Sequence, residues 1–359
     1  MTDKNNANTN IKFFTRTRDA WDVMYADCQK AEKAIYFEQY IIANDQWGQK
    51  FLKLFLKKAQ DGVDVRLVFD FIGSLDTRSS PFIKKIRKSG GKVSFYRPLK
   101  LYHLFLPHQW FPRTHLKCMI IDKNIGYMGS ACIAEEMENW RDTYLRCTGS
   151  LVSEMMDEFG IHFDKKGDHP QIDNDADDDG LDFQLNVPEK HSNPVFENLL
   201  DHVEKAKTSI DLVTPYFIPP SKLADALIAA VSRGVTVRVM TSEESDVHMA
   251  DLAGRDEFNR FLDAGIEIYL YKPTVIHAKY AIVDNQWATV GSTNIDYLSL
   301  YKNRESNLSV ERPEIVKILR GHFDSDLPDC HKIDGEFMEK RPLKERLAGR
   351  LARLLKRIL

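Results

Sequence analysis

The sequence predicts a duplicated α/β fold: two halves, each with a largely parallel central sheet flanked by helices. Three observations carry this reading. Short apolar strands alternate with helical segments, the same order of elements occurs twice, and a polar, acidic stretch separates the two runs.

Each half opens with a helix-like segment leading into an apolar strand: Glu32, Lys33 and Ala34 before residues 35–42, then Glu204, Lys205 and Ala206 before residues 210–218. A helix follows and runs into a glycine, Gly62 or Gly234, beyond which β-branched residues alternate toward Arg66 or Arg238. Glycine just past a helix, followed by a period of two, marks a helix end and a strand start. A second helix closes on Gly90 and Gly91, or on Gly265, ahead of a short aromatic strand at residues 93–96 or 266–271. Apolar periodicity vanishes where Asp and Asn dominate. The expected boundaries are therefore a first half at 11–164, an acidic linker at 165–190, a second half at 191–330 and a basic tail at 331–359.

A chain of 359 residues, 43% hydrophobic and 29% charged, has the composition of ordinary globular domains with sizeable cores. Its formal net charge of -3 gives no reason to expect a nucleic-acid partner. The five cysteines form no CxxC pair and no Cys/His ligand spacing, which argues against a zinc site or a disulfide framework and suits a reducing compartment. The Asn-rich opening residues are unlike a signal peptide, and no run reaches the roughly 18 apolar residues of a spanning helix. Membrane contact is thus expected to be peripheral.

The sharpest repeat carries the chemistry. His115, Lys117, Asp122, Gly129 and Ser130 recur at the same spacing as His277, Lys279, Asp284, Gly291 and Ser292. Five fixed matches arise by chance on the order of once in a million starting points. On a strand, residues two apart point to one face, so each His is expected beside its Lys. Gly-Ser then marks a neighbouring strand turning back, and bringing the halves together would gather two His, two Lys and two Ser around one cleft.

That inventory suits phosphodiester exchange without a metal. A neutral imidazole can attack phosphorus and form a phosphohistidine, while an opposing imidazolium protonates the leaving oxygen and later deprotonates the incoming hydroxyl. The lysines, Ser130, Ser292 and Asn294 are expected to hold the phosphoryl oxygens. Asp142 and Glu305 stand at nearly matching distances downstream and are candidate orienters of the imidazoles. Asp122 and Asp284 are candidates either for direct participation or for bracing the fold through an ion pair.

These residues resemble the HKD motifs of the phospholipase D superfamily and, more narrowly, those of bacterial cardiolipin synthases. The narrower resemblance rests on RTHLK at 113–117, IGYMG at 125–129, WRDT at 140–143, TPYFIP at 214–219 and GSTNID at 291–296. It spans about residues 30–312. It implies two pseudo-symmetric phospholipase D-like halves, no cofactor, His115 as nucleophile and His277 as general acid. It further implies cardiolipin made from phosphatidylglycerol through a phosphatidyl-histidine, with release of glycerol. The residues alone do not say which histidine plays which part. Two departures stand out. Cys132 occupies the place of Asn294, and the N-terminal membrane spans common among such synthases are not seen.

Four further features each admit two readings. Cys132 reads as a small buried residue rather than a reactive thiol, since nothing nearby would lower its pKa. Residues 175–180 match half of a calcium loop, but Asn186 stands where the bidentate Glu belongs, so a solvated linker is the better reading. The apolar run at 99–111 is either half-buried core or an acyl-chain entrance. In the tail, Leu343, Leu347, Leu351, Leu354 and Ile358 share one helical face, and Lys344, Arg346, Arg350, Arg353, Lys356 and Arg357 cover most of the rest. Such a helix over Lys340–Leu359 is expected to lie on an anionic membrane surface, with docking onto the protein's own core as the alternative.

The expectation from sequence is a peripheral phosphatidyltransferase at the cytoplasmic face of a bacterial cell membrane. A phospholipase D-type hydrolase giving phosphatidic acid is the nearest rival. A non-catalytic membrane scaffold is the non-enzyme alternative, and a nuclease fits the charge least well.

Overall fold

The computed structural model describes residues 9–99, 110–160 and 180–356. Its contacts divide the chain into two compact units, Met1–Asn139 with Thr143–Asp178, and Trp140–Asp142 with Asp179–Leu359. The apolar run at 99–111 falls mostly outside the described residues. So do most of the expected linker, all but the last residue of the half calcium loop, and residues 357–359.

The first unit starts with β1 (Asn10–Arg16) and α1 (Thr17–Lys30), followed by β2 (Ala34–Gln39), α2 (Gln46–Gln60) and β3 (Asp64–Asp70). It continues through α3 (Pro81–Lys88), β4 (Lys92–Tyr96), β5 (Lys117–Ile121), β6 (Ile125–Met128), β7 (Arg141–Thr148) and α4 (Ser150–Gly160). Asp45 caps α2, its carboxylate accepting the Gly48 N–H at 2.9 Å, and Pro81 sits in the first turn of α3, where a missing N–H costs nothing. The seven strands lie in the order β1-β7-β6-β5-β2-β3-β4. Every residue of β2 and β5 is buried, and Trp21, Phe37, Phe51, Phe55 and Phe69 are the bulk of the core around them.

The second unit repeats this order. It runs β8 (Leu181–Asn186), α5 (Pro194–Lys205), β9 (Ser209–Val213), α6 (Ser221–Ser232), β10 (Thr236–Ser242), α7 (His248–Asp263), β11 (Glu267–Tyr271), β12 (Tyr280–Val283) and β13 (Trp287–Gly291). Then come α8 (Tyr297–Tyr301), β14 (Glu305–Val310), α9 (Pro313–Asp326), β15 (Cys330–Ile333), α10 (Gly335–Glu339) and α11 (Leu343–Leu354). The sheet order β8-β14-β13-β12-β9-β10-β11 matches the first sheet strand for strand, with β15 added beside β11. Gly62 and Gly234 end the equivalent helices at φ +87° and +88°, a conformation that favours glycine.

The duplicated α/β plan is therefore present, but the sheets are mixed rather than largely parallel. Among the strand pairs whose register is described, β2-β3-β4 and β9-β10-β11 run parallel. The strand leading from each His-x-Lys pair, β5 or β12, enters antiparallel beside the first of them and turns back as a tight hairpin. Three residues separate β5 from β6 and β12 from β13, too few for a parallel crossover, so each of these pairs has to be antiparallel. The linker also ends earlier than expected. Leu181, Phe183 and Leu185 alternate along β8, which pairs with β14 at the sheet edge. At the other boundary, the start of the tail contributes β15 to the second sheet, antiparallel to β11.

Candidate active site

In the first unit the approach to His115 is pinned from both sides. Arg113 is buried and forms an ion pair with the fully buried Asp70 at 2.9 Å, while its remaining N–H groups donate to the carbonyls of Tyr96, Arg97 and Trp110. Thr114 donates its backbone N–H to Asp70 at 3.2 Å and its hydroxyl to Glu38. Burial raises the Asp70 carboxyl, and the Arg113 charge and hydrogen bond only partly offset this. RTHLK is thus an anchor as well as a carrier of the histidine.

The ladder of β5 begins at Lys117, so His115 lies in the extended lead-in rather than on the strand as expected. The pairing of the two side chains survives this. Lys117, 1% exposed, folds back to donate to the His115 carbonyl at 2.8 Å, with its ammonium 5.6 Å from the Tyr40 ring centroid. The His115 ring meets Tyr40 edge-on at 5.1 Å. Ser130 is fully buried, and Gly129 before it is obligatory: a Cβ there would lie 2.3 Å from the Tyr144 ring. Cys132 is 2% exposed, in keeping with its reading as a small buried residue.

The second unit builds the same station with more polar groups. Lys279 donates to the His277 carbonyl at 2.9 Å and lies 3.0 and 3.1 Å from the two ring nitrogens of His277. Trp140 packs against that ring at 5.1 Å. The His277 backbone N–H donates to the Arg141 carbonyl at 2.7 Å, and Arg141 is held by a buried pair with Asp326 at 2.7 Å. Asp142, fully buried, therefore sits in the unit of His277, although its place along the chain associates it with His115.

Glu305 is also fully buried and accepts the Ser292 hydroxyl at 2.5 Å. That hydroxyl in turn accepts the Ser306 N–H at 3.0 Å. A hydroxyl has one hydrogen to give, so Ser292 supports Glu305 rather than presenting a donor to phosphate, a correction to the role expected of it. Gly291 again permits the approach, since a Cβ would lie 2.2 Å from the Ser306 carbonyl.

The TPYFIP segment laces this region together. Thr214 donates to the Tyr216 carbonyl at 2.9 Å and accepts the Ile295 N–H at 3.3 Å, while Ile218 donates to the Ile295 carbonyl at 3.0 Å. It thereby fixes Asn294, 6% exposed, and Asp296, 2% exposed. Asp296 caps α8 by accepting the Ser299 N–H at 2.7 Å. Burial and then the nearby Glu305 charge push its carboxyl up to about 7, against the opposing pull of the Ser299 N–H, Asn294 and Lys279. Sequence reading missed Asp296, as it did Tyr40 and Trp140. The first was visible as the last letter of GSTNID, whereas the aromatic contacts required the fold.

Asp122 and Asp284 are not brought to these stations. They stand just past the far ends of β5 and β12, five residues and so roughly 16 Å along the chain from the lysines at about 3.3 Å per residue. Asp122 accepts the N–H groups of Glu32, Lys33 and Ala34, and Asp284 those of Lys207, Thr208 and Ser209. Burial acts to raise both carboxyls, but the backbone donors outweigh it and hold them below the usual range. Each carboxylate is tied into the fold by backbone amides. Among the described residues, no cluster of three or more His, Cys, Asp and Glu is placed to hold a metal ion.

Comparison with known proteins finds the same two stretches. The family described as cardiolipin synthase, PLD-like domain, matches residues 24–160 and 199–327. A cardiolipin synthase of Oceanobacillus iheyensis is 29% identical, covering 98% of this chain and 76% of its own. The major cardiolipin synthase ClsA of Bacillus subtilis is 31% identical, covering 97% and 75%. Among solved structures, the phosphatidylserine synthase of Haemophilus influenzae superposes with a TM-score of 0.76 at 13% identity over 97% of this chain and 95% of its own. Polyphosphate kinase from Porphyromonas gingivalis superposes with a TM-score of 0.64 at 14% identity, over 97% and 52%. At such identities the structural likenesses speak to the fold alone.

Proposed function

Because the chain belongs to the cardiolipin synthase family with the PLD-like domain, we propose that it is a phosphatidyltransferase making cardiolipin from phosphatidylglycerol. The observation that carries this reading is the duplicated His-x-Lys station, each with its lysine folded onto the histidine it accompanies. His115 attacks the phosphorus of one phosphatidylglycerol, the P–O bond to glycerol breaks, and His277 protonates the departing oxygen. The neutral His277 then takes the proton from a glycerol hydroxyl of a second phosphatidylglycerol, whose oxygen displaces His115. Lys117, Lys279 and Asn294 stabilise the phosphoryl charge, and Ser130 is assigned the same task. Glu305 and Asp142 act as orienters of the imidazoles.

The same proposal places the protein on the cytoplasmic face of the membrane, held there by α11. That helix docks on α7 through its smallest residues. Gly349 lies against the Leu252 carbonyl, Ala352 is fully buried, and Arg353 and Lys356 pair with Asp256 and Glu257 at 3.2 and 2.9 Å. Docking therefore takes the face opposite the leucines. Leu343, Leu347, Leu351 and Leu354 remain 51–76% exposed, flanked by Lys344, Arg346 and Arg350. An apolar ridge edged with cations matches an anionic lipid surface. Among the described residues no helix is long and apolar enough to cross a membrane.

The test is to incubate purified protein with phosphatidylglycerol liposomes and follow the lipids by mass spectrometry. Cardiolipin that vanishes in His115→Ala and His277→Ala variants supports transfer. Phosphatidic acid in its place identifies the hydrolase, and vesicle binding without turnover identifies a scaffold.

A further inference from the structure

Asn294 presents a contradiction that its neighbour resolves. The residue is 6% exposed, and its side-chain Oδ1 is buried without a hydrogen-bond partner. Leaving a buried carbonyl oxygen unpaired costs about 1–3 kcal/mol. On its other side the amide interacts with the Asp296 carboxyl. Two arrangements of this pair are possible, because the oxygen and nitrogen of an amide are interchangeable in shape. With Asp296 ionised, the amide NH2 is drawn to the carboxylate and the carbonyl oxygen is left over, the wrong polarity for a phosphoryl group. With Asp296 neutral, its O–H donates to Asn294 Oδ1, and the NH2 is left over instead.

We infer that Asp296 is a positioning residue that works as a neutral carboxyl, donating its proton to Asn294 Oδ1 so that the Asn294 NH2 is free to bind the substrate's phosphoryl oxygen. This rests on the phosphatidyl-transfer reading of the same station. The surroundings favour the neutral form. Asp296 is fully enclosed, one oxygen already accepts the Ser299 N–H at 2.7 Å, and the position of its carboxyl near 7 leaves a large neutral population at physiological pH. The charged and titratable groups facing it are Glu305 from β14, Lys279 from the approach to β12 with its partner His277, and Tyr216, which donates to Asp246 after β10. Glu305 and the incoming phosphodiester both oppose a negative Asp296, whereas Lys279 favours it. Substrate binding and protonation of Asp296 should therefore reinforce each other.

The deciding variant is Asp296→Asn. Its Oδ1 still caps Ser299 while its NH2 permanently supplies the hydrogen that Asn294 Oδ1 needs. On phosphatidylglycerol in mixed micelles, kcat/KM of Asp296→Asn should stay within about threefold of wild type near pH 6 and exceed it above pH 8. Wild type should lose an additional factor of roughly ten per pH unit above about 7. Asp296→Ala should raise KM at all pH values, and Asp296→Asn should restore it. Infrared difference spectra should show a protonated carboxyl band in wild type at neutral pH that is absent in Asp296→Asn, a readout independent of turnover. An unchanged alkaline limb in Asp296→Asn, or no such carboxyl band in wild type, overturns the inference. If wild type itself makes no cardiolipin, the transfer reading fails, and the infrared arm still decides the protonation state.

Discussion

Asp122 and Asp284 occupy the same place in their units, each at positive φ (+51° and +53°) and each gathering three consecutive backbone N–H groups that end on the first residue of the first parallel strand. The aspartate of each motif is therefore a clasp between the end of the motif strand and the start of its neighbour. Replacing either by Ala should cost about 0.5–2 kcal/mol, as for the loss of a helix-capping carboxylate. Turnover per folded molecule should remain within about twofold, measured as kcat after correction for the folded fraction.

The pH dependence of that clasp has a definite sign. Both carboxyls are held below their usual range in the folded state, so each contributes stability that is present above the unfolded value of about 3.9. It is lost as pH falls through the folded value. Urea unfolding should show the gap between wild type and Asp284→Ala narrowing below about pH 4 and constant from about pH 5 to 8. A gap that widens in acid would contradict the clasp.

Ser292 offers a test of what touches substrate. Its hydroxyl hydrogen goes to Glu305, so Ser292→Ala should lower kcat roughly tenfold to a hundredfold, as for other supports of a site group, while KM for phosphatidylglycerol changes little. Asn294→Ala, by contrast, should raise KM. A large KM effect in Ser292→Ala with unchanged kcat would return that residue to direct phosphate binding.

Much of this is legible in the sequence. The matched helix ends at Gly62 and Gly234, the two His-x-Lys pairs and the Gly-Ser steps all follow from local rules of spacing. The direction of β5 and β12 was not, because an apolar run of four or five residues reads the same in a parallel or an antiparallel strand. The edge strand β8 was hidden by the acidic residues before it, although Leu181, Phe183 and Leu185 keep a period of two. The place of Asp142 depends on tertiary structure altogether, since the backbone contacts of Arg141 with Ile276 and His277 are what bring it into the unit of His277.

Glycines that look alike in sequence should behave in opposite ways. Gly291→Ala forces a Cβ to 2.2 Å from the backbone carbonyl of Ser306, which cannot rotate away, so it should destabilise by about 1–3 kcal/mol and reduce turnover by shifting Ser292. Gly321, exposed within α9, has nothing within 4 Å of an added Cβ. Gly321→Ala should stabilise by about 0.5–1 kcal/mol through helix propensity. Thermal unfolding of the two variants side by side measures both.

The last helix separates lipid contact from folding. Leu347 and Leu351 are 51% and 67% exposed, so the double change to Ser should leave stability within about 0.5 kcal/mol. Burial of each leucine in the lipid interface is worth on the order of 1.5 kcal/mol, so each loss should weaken binding to phosphatidylglycerol vesicles about tenfold. Gly349→Val acts on the opposite face, where a Cβ would lie 2.8 Å from the Leu252 carbonyl and 3.3 Å from Asp256. It should lift α11 from α7, lowering stability. The cations at Lys344, Arg346 and Arg350 add a salt-dependent part, so wild-type flotation should fall as ionic strength rises and the Debye length shrinks below about 10 Å. If the leucine variant floats as well as wild type, the ridge is not the membrane contact. If it also loses stability, the ridge belongs to a protein surface instead.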